Sequence, residues 1–356
     1  MLNGISIEPF RGDLEALEKM AHRAWRDEYE VASFPNLYRP AFVRYLMEIA
    51  GDPKHFVAAY KGDEILAFLG NIPRTFHYQG KNYRAILSCL LVSRKEYARR
   101  GLAQAVIREA VRINQEIAHY DFALLYLESG HRSSRLVDKF KTEGQPLQFL
   151  KKMSVLGRVL ELDRVAYSEN LKAWEKAAIK IWGAHRLPEP DWSGDLMVEE
   201  FQGADLPAAV NLLNQYVGKV ELARVWLNSE ELKKEILYPG VSNTLAIKKE
   251  GRLLALLNYL EHDHLGRSLE RWAWLNHLYL DSLQPVEKIQ VINRFLHHLS
   301  SRGMVGVVEW SKGYYSQGFL YRSRFFPYFR HVNLWAWVFN PELVFKPVKG
   351  VYEVQI

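Results

Sequence analysis

The chain has 356 residues, the length of two domains of ordinary size. Hydrophobic residues make up 48% and charged residues 25%, which excludes a disordered or low-complexity protein. One cysteine, Cys89, excludes an intrachain disulfide framework and any multi-cysteine metal cluster, while a net charge of +6 suits an anionic small molecule as well as it suits nucleic acid.

Ile5 and Ile7 alternate with polar residues and read as a strand. Asp13 then stands in the N-cap position before a helical stripe of Leu14, Leu17, Met20 and Ala21. A second helix is expected over 39–50. Strands at 56–60 and 64–70 flank Lys61-Gly62-Asp63, and a second hairpin is expected over 74–78 and 83–92, around Gln79-Gly80-Lys81-Asn82. Ala103, Val106, Ile107, Ala110, Val111 and Ile117 share one helical face. A strand at 122–127, a helix at 133–142 ending at Gly144, and closing strands at 147–162 complete the first half. Leu171 to Trp182 has helical spacing, and HRLPEPDWSG (185–194) cannot continue a helix.

The pattern then starts again. Ile7-Glu8-Pro9-Phe10 parallels Val198-Glu199-Glu200-Phe201. Val57-Ala58 and Ile65-Leu66-Ala67 parallel Leu245-Ala246 and Leu253-Leu254-Ala255 at a separation of 188 (245 − 57). The same separation relates Leu87, Leu90 and Val92 to Leu275, Leu278 and Leu280. A constant offset over several strands indicates an internal duplication. The expected architecture is α/β (α+β): a first domain at 1–165, a helical linker at 166–194 and a degenerate copy at 195–356.

The chemistry-bearing stretch is Leu90-Leu91-Val92-Ser93-Arg94-Lys95-Glu96-Tyr97-Ala98-Arg99-Arg100-Gly101-Leu102-Ala103. An apolar strand runs into a basic turn, and an amphipathic helix follows. Gly101 lets the backbone come close to a ligand. The unpaired N–H groups and dipole of the helix start favour a pyrophosphate, with Arg99 and Arg100 at the rim. Ala98 to Ala103 resembles the Gln/Arg-x-x-Gly-x-Gly/Ala signature of the GNAT superfamily of acyl-CoA N-acyltransferases. Gly101 and Ala103 match it, and Ala98 departs from it. Ser133, Leu136, Phe140 and Gly144 keep the spacing of a second superfamily element, with Phe140 at the usual tyrosine. A phenyl ring has no proton to give a departing thiolate.

The resemblance implies two tandem GNAT-like domains, each with a mixed, mostly antiparallel sheet flanked by helices. It implies acetyl-CoA as co-substrate, held by Leu90, Leu91, Val92, Arg99, Arg100, Gly101, Leu102 and Ala103. The acetyl group would pass directly to a primary amine of a small molecule or peptide, without a covalent intermediate, so Cys89 need not be a nucleophile. Glu128 and then His131 are the candidate catalytic bases, at the end of the fifth strand. Glu28, Tyr29 and Glu30 are candidate pocket residues. Two rival readings are a tandem GNAT-fold aminoacyl transferase using aminoacyl-tRNA, which the positive charge suits, and a non-catalytic acyl-CoA-binding module.

The second half has no such cradle, because Asp281 to Lys288 has no glycine and carries acids at both ends. Glu261-His262-Asp263-His264 has metal-like composition in an expected hairpin turn, yet no metal site is expected. Of His297 and His298, one is expected to be exposed. Tyr314 to Tyr321 is expected in the core. The N-terminus lacks a leader pattern, and no apolar run nears the ~20 residues of a membrane helix. A cytoplasmic protein with neither a membrane nor a nucleic-acid partner is expected.

Overall fold

The computed structural model describes residues 4–28, 33–97, 100–130, 132–189 and 195–352. The first half runs β1 (Ser6–Pro9), α1 (Leu14–Glu28), β2 (Phe34–Pro35), α2 (Pro40–Ala50), β3 (Phe56–Lys61), β4 (Glu64–Tyr78), β5 (Lys81–Ser93), α3 (Leu102–Arg112), β6 (Phe122–Glu128), α4 (Arg132–Thr142) and β7 (Leu147–Val159). Helices α5 (Leu162–Ser168) and α6 (Ala173–Trp182) follow. The second half runs β8 (Met197–Glu200), α7 (Leu206–Leu213), β9 (Leu222–Arg224), α8 (Ser229–Ile236), β10 (Ser242–Lys249), β11 (Arg252–Leu265) and β12 (Leu269–Tyr279). It closes with α9 (Pro285–Ser301), β13 (Gly306–Trp310), α10 (Gly318–Arg322), β14 (Phe326–Val338) and β15 (Val351–Tyr352).

The strands form one large, mostly antiparallel sheet in the order β1-β3-β4-β5-β6-β14-β7-β13-β12-β11-β10-β8. In each half a parallel pair interrupts the antiparallel order, β5 with β6 and β12 with β13. The last strand of each half crosses over. β14 lies antiparallel to β6, β7 lies antiparallel to β13, and the two pair with each other, Met153 opposite Val332. Helices cover both faces. In the first half, α1 and α2 pack on one face, and α3 and α4 on the other. In the second half, α7 and α8 take one face and α9 the other.

Local signals explain several elements. Asp13 accepts a hydrogen bond from the Ala16 N–H at 2.9 Å and opens α1. Gly51, in the left-handed region at φ 73°, closes α2. Both expected hairpins form and share a strand, because β4 runs unbroken from Glu64 to Tyr78 through Pro73. Proline is tolerated there because it sits on the outer edge of β4 between Gly70, opposite the end of β3, and Thr75, whose carbonyl accepts from the Val225 N–H beside β9. Residues 147–162 hold one strand and the start of α5 rather than several closing strands.

The duplication appears in the pairing registers, with one correction. Val57 faces Leu69 as Leu245 faces Leu257, which keeps the separation of 188. On the third strand it is 187 (275 − 88), because Asn71 faces Ser88 as Tyr259 faces Leu275. Leu90 is therefore not the counterpart of Leu278. A one-residue slip turns a strand residue to the other face. Leu87, Leu90 and Val92 pack under α1 and α2, whereas Leu275, Leu278 and Leu280 pack on α9.

The halves are tied by a buried cluster. Arg224 grips Glu235 through two hydrogen bonds of 2.7 and 2.8 Å. Arg74 from β4 adds a contact at 3.3 Å and His277 one at 3.0 Å. Burial alone would push the Glu235 carboxyl up, but the two guanidiniums and the imidazole outweigh it and hold it well below the ordinary range. Burial pushes His277 down to about 4, against the pull of Glu235.

Candidate acyl-CoA site

The site begins where two parallel strands part. β5 and β6 pair only from Ala85–Phe122 to Ser88–Leu125. Beyond that point β5 stays bonded to β4, and β6 to β14, so the facing edges of 89–93 and 126–128 carry no ladder between them. A bulge in β5 marks the parting. Three residues, Leu90 to Val92, advance the register while β4 advances two, and Leu90 adopts φ 57°.

A cavity of about 180 Å³ opens at this gap and runs under α3. Ser88, Cys89, Leu90 and Leu91 form one wall, and Leu125 and Leu127 another. Ile107, Ala110, Phe140 and Trp337 make most of the remainder apolar. Phe140 is buried with its ring 4.9 Å from that of Trp337. Besides Ser88 and Tyr126, the lining holds the polar side chain of Asn114, which is 1% exposed and whose Oδ1 has no hydrogen-bond partner. It lies in a π-helical turn, 113–117, that follows α3. The sequence reading missed Asn114, since nothing in a helical stripe marks where a turn widens.

A second cavity, of about 570 Å³, lies at the N-terminus of α3. Its lining is Ser93, Tyr97, Arg100, Gly101, Leu102, Ala103, Gln104, Leu136 and Lys139, so Leu136 borders both cavities. Gly101 caps α3 at φ 83°, a conformation that favours glycine. The first α3 hydrogen bond runs from the Ala105 N–H to the Gly101 carbonyl at 2.9 Å, which leaves the preceding N–H groups available to an anion. Arg100 lies over the Tyr97 ring at 5.8 Å. Lys139 donates to Gln104 at 2.9 Å and adds a cation that the sequence reading had not placed, because it comes from α4.

The cofactor-binding candidates Arg100, Gly101, Leu102 and Ala103 are thus brought together at the second cavity, and Leu90 and Leu91 at the first. Val92 is buried and lines neither. Arg99 and Ala98 lie outside the described residues, as do His131, Tyr29 and Glu30, and so does the side chain of Glu28. Glu128 ends β6 opposite Val332, with Oε1 3.6 Å from Nε of Arg330. It lines neither cavity, and strand alternation puts it on the face of Tyr126, opposite Leu125 and Leu127. The sulfur side of Cys89 abuts Gly70, and burial pushes its thiol up to about 12, so the thiolate is not available.

The second half has the same parting strands and closes them from within. β12 and β13 pair only from Trp272–Gly306 to Trp274–Val308, and β12 carries the same bulge. Lys312 stands six residues after Gly306, as Glu128 stands six after Phe122. Its buried ammonium donates to the carbonyls of Leu275 at 3.5 Å and Asn276 at 3.4 Å, and lies 3.2 Å from Glu309. The Leu278 N–H donates to the Tyr314 hydroxyl at 3.2 Å. The start of α9 is also engaged, with the Glu287 carboxylate accepting from the Gln284 N–H at 2.7 Å. Among the described residues, the gap of the second half is therefore filled by Lys312 and Tyr314, and the N-cap N–H of α9 is already engaged.

Other candidates resolve structurally. Residues 261–264 lie in β11, not in a turn, and alternate between faces. Glu261 meets Arg302 at 2.8 Å and Asp263 meets Arg39 at 3.4 Å. His262 packs between Phe42 and Trp274, and His264 stacks on Trp272. Among the described residues no cluster of three metal-ligating side chains is found. Neither His297 nor His298 is fully exposed, since they meet the Pro188 carbonyl at 2.5 Å and the Tyr259 hydroxyl at 3.1 Å. Tyr314, Phe319 and Leu320 are core, as expected, but Tyr321 is exposed.

No family model matches the sequence, and no curated protein does. Solved structures do match in fold. Saccharomyces cerevisiae N-myristoyltransferase with bound myristoyl-CoA is similar at a TM-score of 0.79 and 13% identity, over 99% of this chain and 90% of that one. A putative acetyltransferase from Pyrococcus horikoshii has a TM-score of 0.59 and 13% identity, over 99% and 95%. A GCN5-related N-acetyltransferase from Sphaerobacter thermophilus has a TM-score of 0.57 and 11% identity, over 97% and 99%. The GNAT-like fold expected from Gly101 and Ala103 is therefore the fold of this chain, in its two-domain form.

Proposed function

We infer that this tandem GNAT-fold chain is an acyl-CoA-dependent N-acyltransferase with one donor site, in the first half. The observation that carries the reading is the contrast between the two bulges. Lys312 and Tyr314 occupy the carbonyls of Leu275 and Asn276 and the N–H of Leu278. Their counterparts at Ser88, Cys89 and Leu91 border an open cavity instead. A pantetheine arm carries amides that suit such strand-edge groups, and a pyrophosphate suits the Gly101 cradle beside Arg100 and Lys139.

In this reading the amine nitrogen attacks the thioester carbonyl and the C–N bond forms. A bulge N–H near Leu90 and Leu91 stabilises the oxyanion. The C–S bond then breaks, the attacking nitrogen gives up its surplus proton to water, and the thiolate takes a proton from water, since Phe140 has none to give. Glu128, on the opposite face of the sheet from the cavities, takes the proton of the incoming ammonium, with His131 as the second candidate base. The acceptor is a primary amine of a small molecule or peptide, and peptide acceptors gain support from the likeness to an N-myristoyltransferase. Acetyl-CoA is the minimal donor. The apolar cavity beyond Ser88 favours donors with a longer chain. We read 1–165 and 195–356 as the two units, joined by 166–194, in a cytoplasmic protein.

The test is calorimetric titration of acetyl-CoA, longer acyl-CoAs and desulfo-CoA into wild type and Gly101→Glu, followed by amine-dependent release of free thiol. Binding that disappears in the variant, with thiol release, supports the reading. No binding of any acyl-CoA to wild type sinks it, and binding without turnover of any amine leaves a binding module.

A further inference from the structure

We propose that α6 is a docking face for an anionic lipid surface, an inference independent of the acyltransferase reading. Helix α6 turns an apolar stripe outward. Trp174 is 58% exposed, Ile181 87% and Trp182 46%, and Ala173, Ala177 and Ala178 between them are also exposed. Only Ile179 of this helix is buried. A surface helix normally does the reverse, keeping its apolar stripe inward.

Cations frame the stripe. Lys172 stands at its start and Lys180 along its edge, both exposed. Lys176 lies next to Lys180 on that edge and pairs with Asp163 at 3.0 Å. The acids nearby are engaged: Glu175 accepts from the Lys172 N–H at 2.7 Å, and Glu169 lies 3.9 Å from His264. The tip of the β11–β12 hairpin sits beside α5, with the Arg267 N–H bonded to the Ser168 carbonyl at 3.1 Å. This brings exposed Arg267 and Leu269 next to exposed Tyr167. On α6 itself, tryptophan and isoleucine flanked by lysine is the chemistry of a helix lying in a headgroup layer.

A second copy of the chain fits less well. A helix of ten residues is only about 15 Å long. Its exposed side chains offer on the order of 400 Å², whereas a stable dimer buries about 800 Å² per partner. Two such helices face to face would also oppose Lys172 and Lys180 to their own copies. This inference departs from the expectation of no membrane partner. That expectation concerned spanning segments, and no helix among the described residues is long and apolar enough to cross a membrane.

The test is co-sedimentation of the full chain with phosphatidylcholine vesicles, with and without about 30% phosphatidylserine. Wild type should sediment with the anionic vesicles and be monomeric by light scattering. Trp174→Ser/Ile181→Ser should weaken partitioning at least about tenfold, and Lys172→Glu/Lys180→Glu should abolish the preference for phosphatidylserine. Both variants should keep the wild-type thermal transition, since the altered side chains are exposed. Wild type that ignores anionic vesicles, or binds them equally well after Trp174→Ser/Ile181→Ser, overturns the proposal. A wild-type dimer that the same double variant dissociates also overturns it and makes the occupant a second copy.

Discussion

Lys312 and Glu309 meet at 3.2 Å, both fully buried, in the gap where β12 parts from β13. At the equivalent gap of the first half, Glu128 and Leu125 occupy their positions and a cavity remains. A buried pair of this kind is costly to break from one side. Lys312→Met should lower unfolding stability by about 3–5 kcal/mol in urea denaturation. Adding Glu309→Leu should recover most of that loss. Titration should find one acyl-CoA per chain in wild type, and two would contradict the plug.

The cradle should respond to charge from α4 as well as from its own turn. Lys139→Met is expected to weaken acyl-CoA binding about tenfold, the worth of one charge-assisted contact. The hydrogen-bond partner of Lys139, Gln104, is neutral and lines the same cavity, and the ion pair of Lys139 with Glu143, at 4.0 Å, is long. Calorimetry at two salt concentrations should show a shallower salt dependence in the variant. An unchanged affinity would remove Lys139 from the donor site.

Glu128→Gln keeps shape and loses basicity. If Glu128 deprotonates the acceptor, kcat should fall about 10² to 10⁴-fold with little change in donor affinity. A rate within threefold of wild type, or about that, would pass the role to another group. The pH profile of kcat, rather than its value alone, separates lost proton transfer from lost positioning.

Asn114 places a carboxamide in a mostly apolar cavity wall, with Oδ1 unpaired. Asn114→Leu should be neutral or stabilising by about 1 kcal/mol, because an unmet buried acceptor disappears. It should also shift donor preference toward more apolar acyl chains, read as the ratio of kcat/KM values across a chain-length series. A loss of stability would mean that Asn114 anchors the widened turn after α3.

Burial pushes His277 down to about 4, from an ordinary value near 6.5. The unfolded chain therefore takes up a proton between those two values that the folded chain refuses. The contribution is present in full above pH 6.5 and is lost as pH falls toward about 4, with a slope of about 1.4 kcal/mol per pH unit at most. His262 and His298 are depressed by burial in the same direction. The discriminating measurement is thus the difference in acid sensitivity between wild type and His277→Asn. The variant should lose less stability over that window.

Short-range chemistry was readable in the amino-acid order. Asp13 caps α1, and Gly101 with Ala103 marks the cradle, because each acts on backbone within a few residues. The duplication was readable in β3 and β4, where alternation keeps its phase, and slipped by one residue at β5, because the offset changes in the turn between Tyr78 and Lys81, whose counterpart between Leu265 and Leu269 differs in length. Contacts between distant segments left no local trace. Lys139 reaches Gln104 from another helix, and Lys312 closes a gap whose carbonyls lie 36 residues or more away. Residues 261–264 looked like ligands because composition carries no direction, and strand geometry sends them to opposite faces.

The crossing of β7 and β14 has a consequence for how the chain comes to life during synthesis. β6, which forms one side of the donor gap, has β14 as its other neighbour, and β14 ends at Val338. A nascent chain that has emerged only through the cradle and α4 still has an unpaired edge where the gap needs a wall. Acyl donor should therefore be refused until nearly the whole polypeptide is available. Cutting the chain within 166–194 should yield two fragments that each lack a strand and that regain donor binding only when mixed.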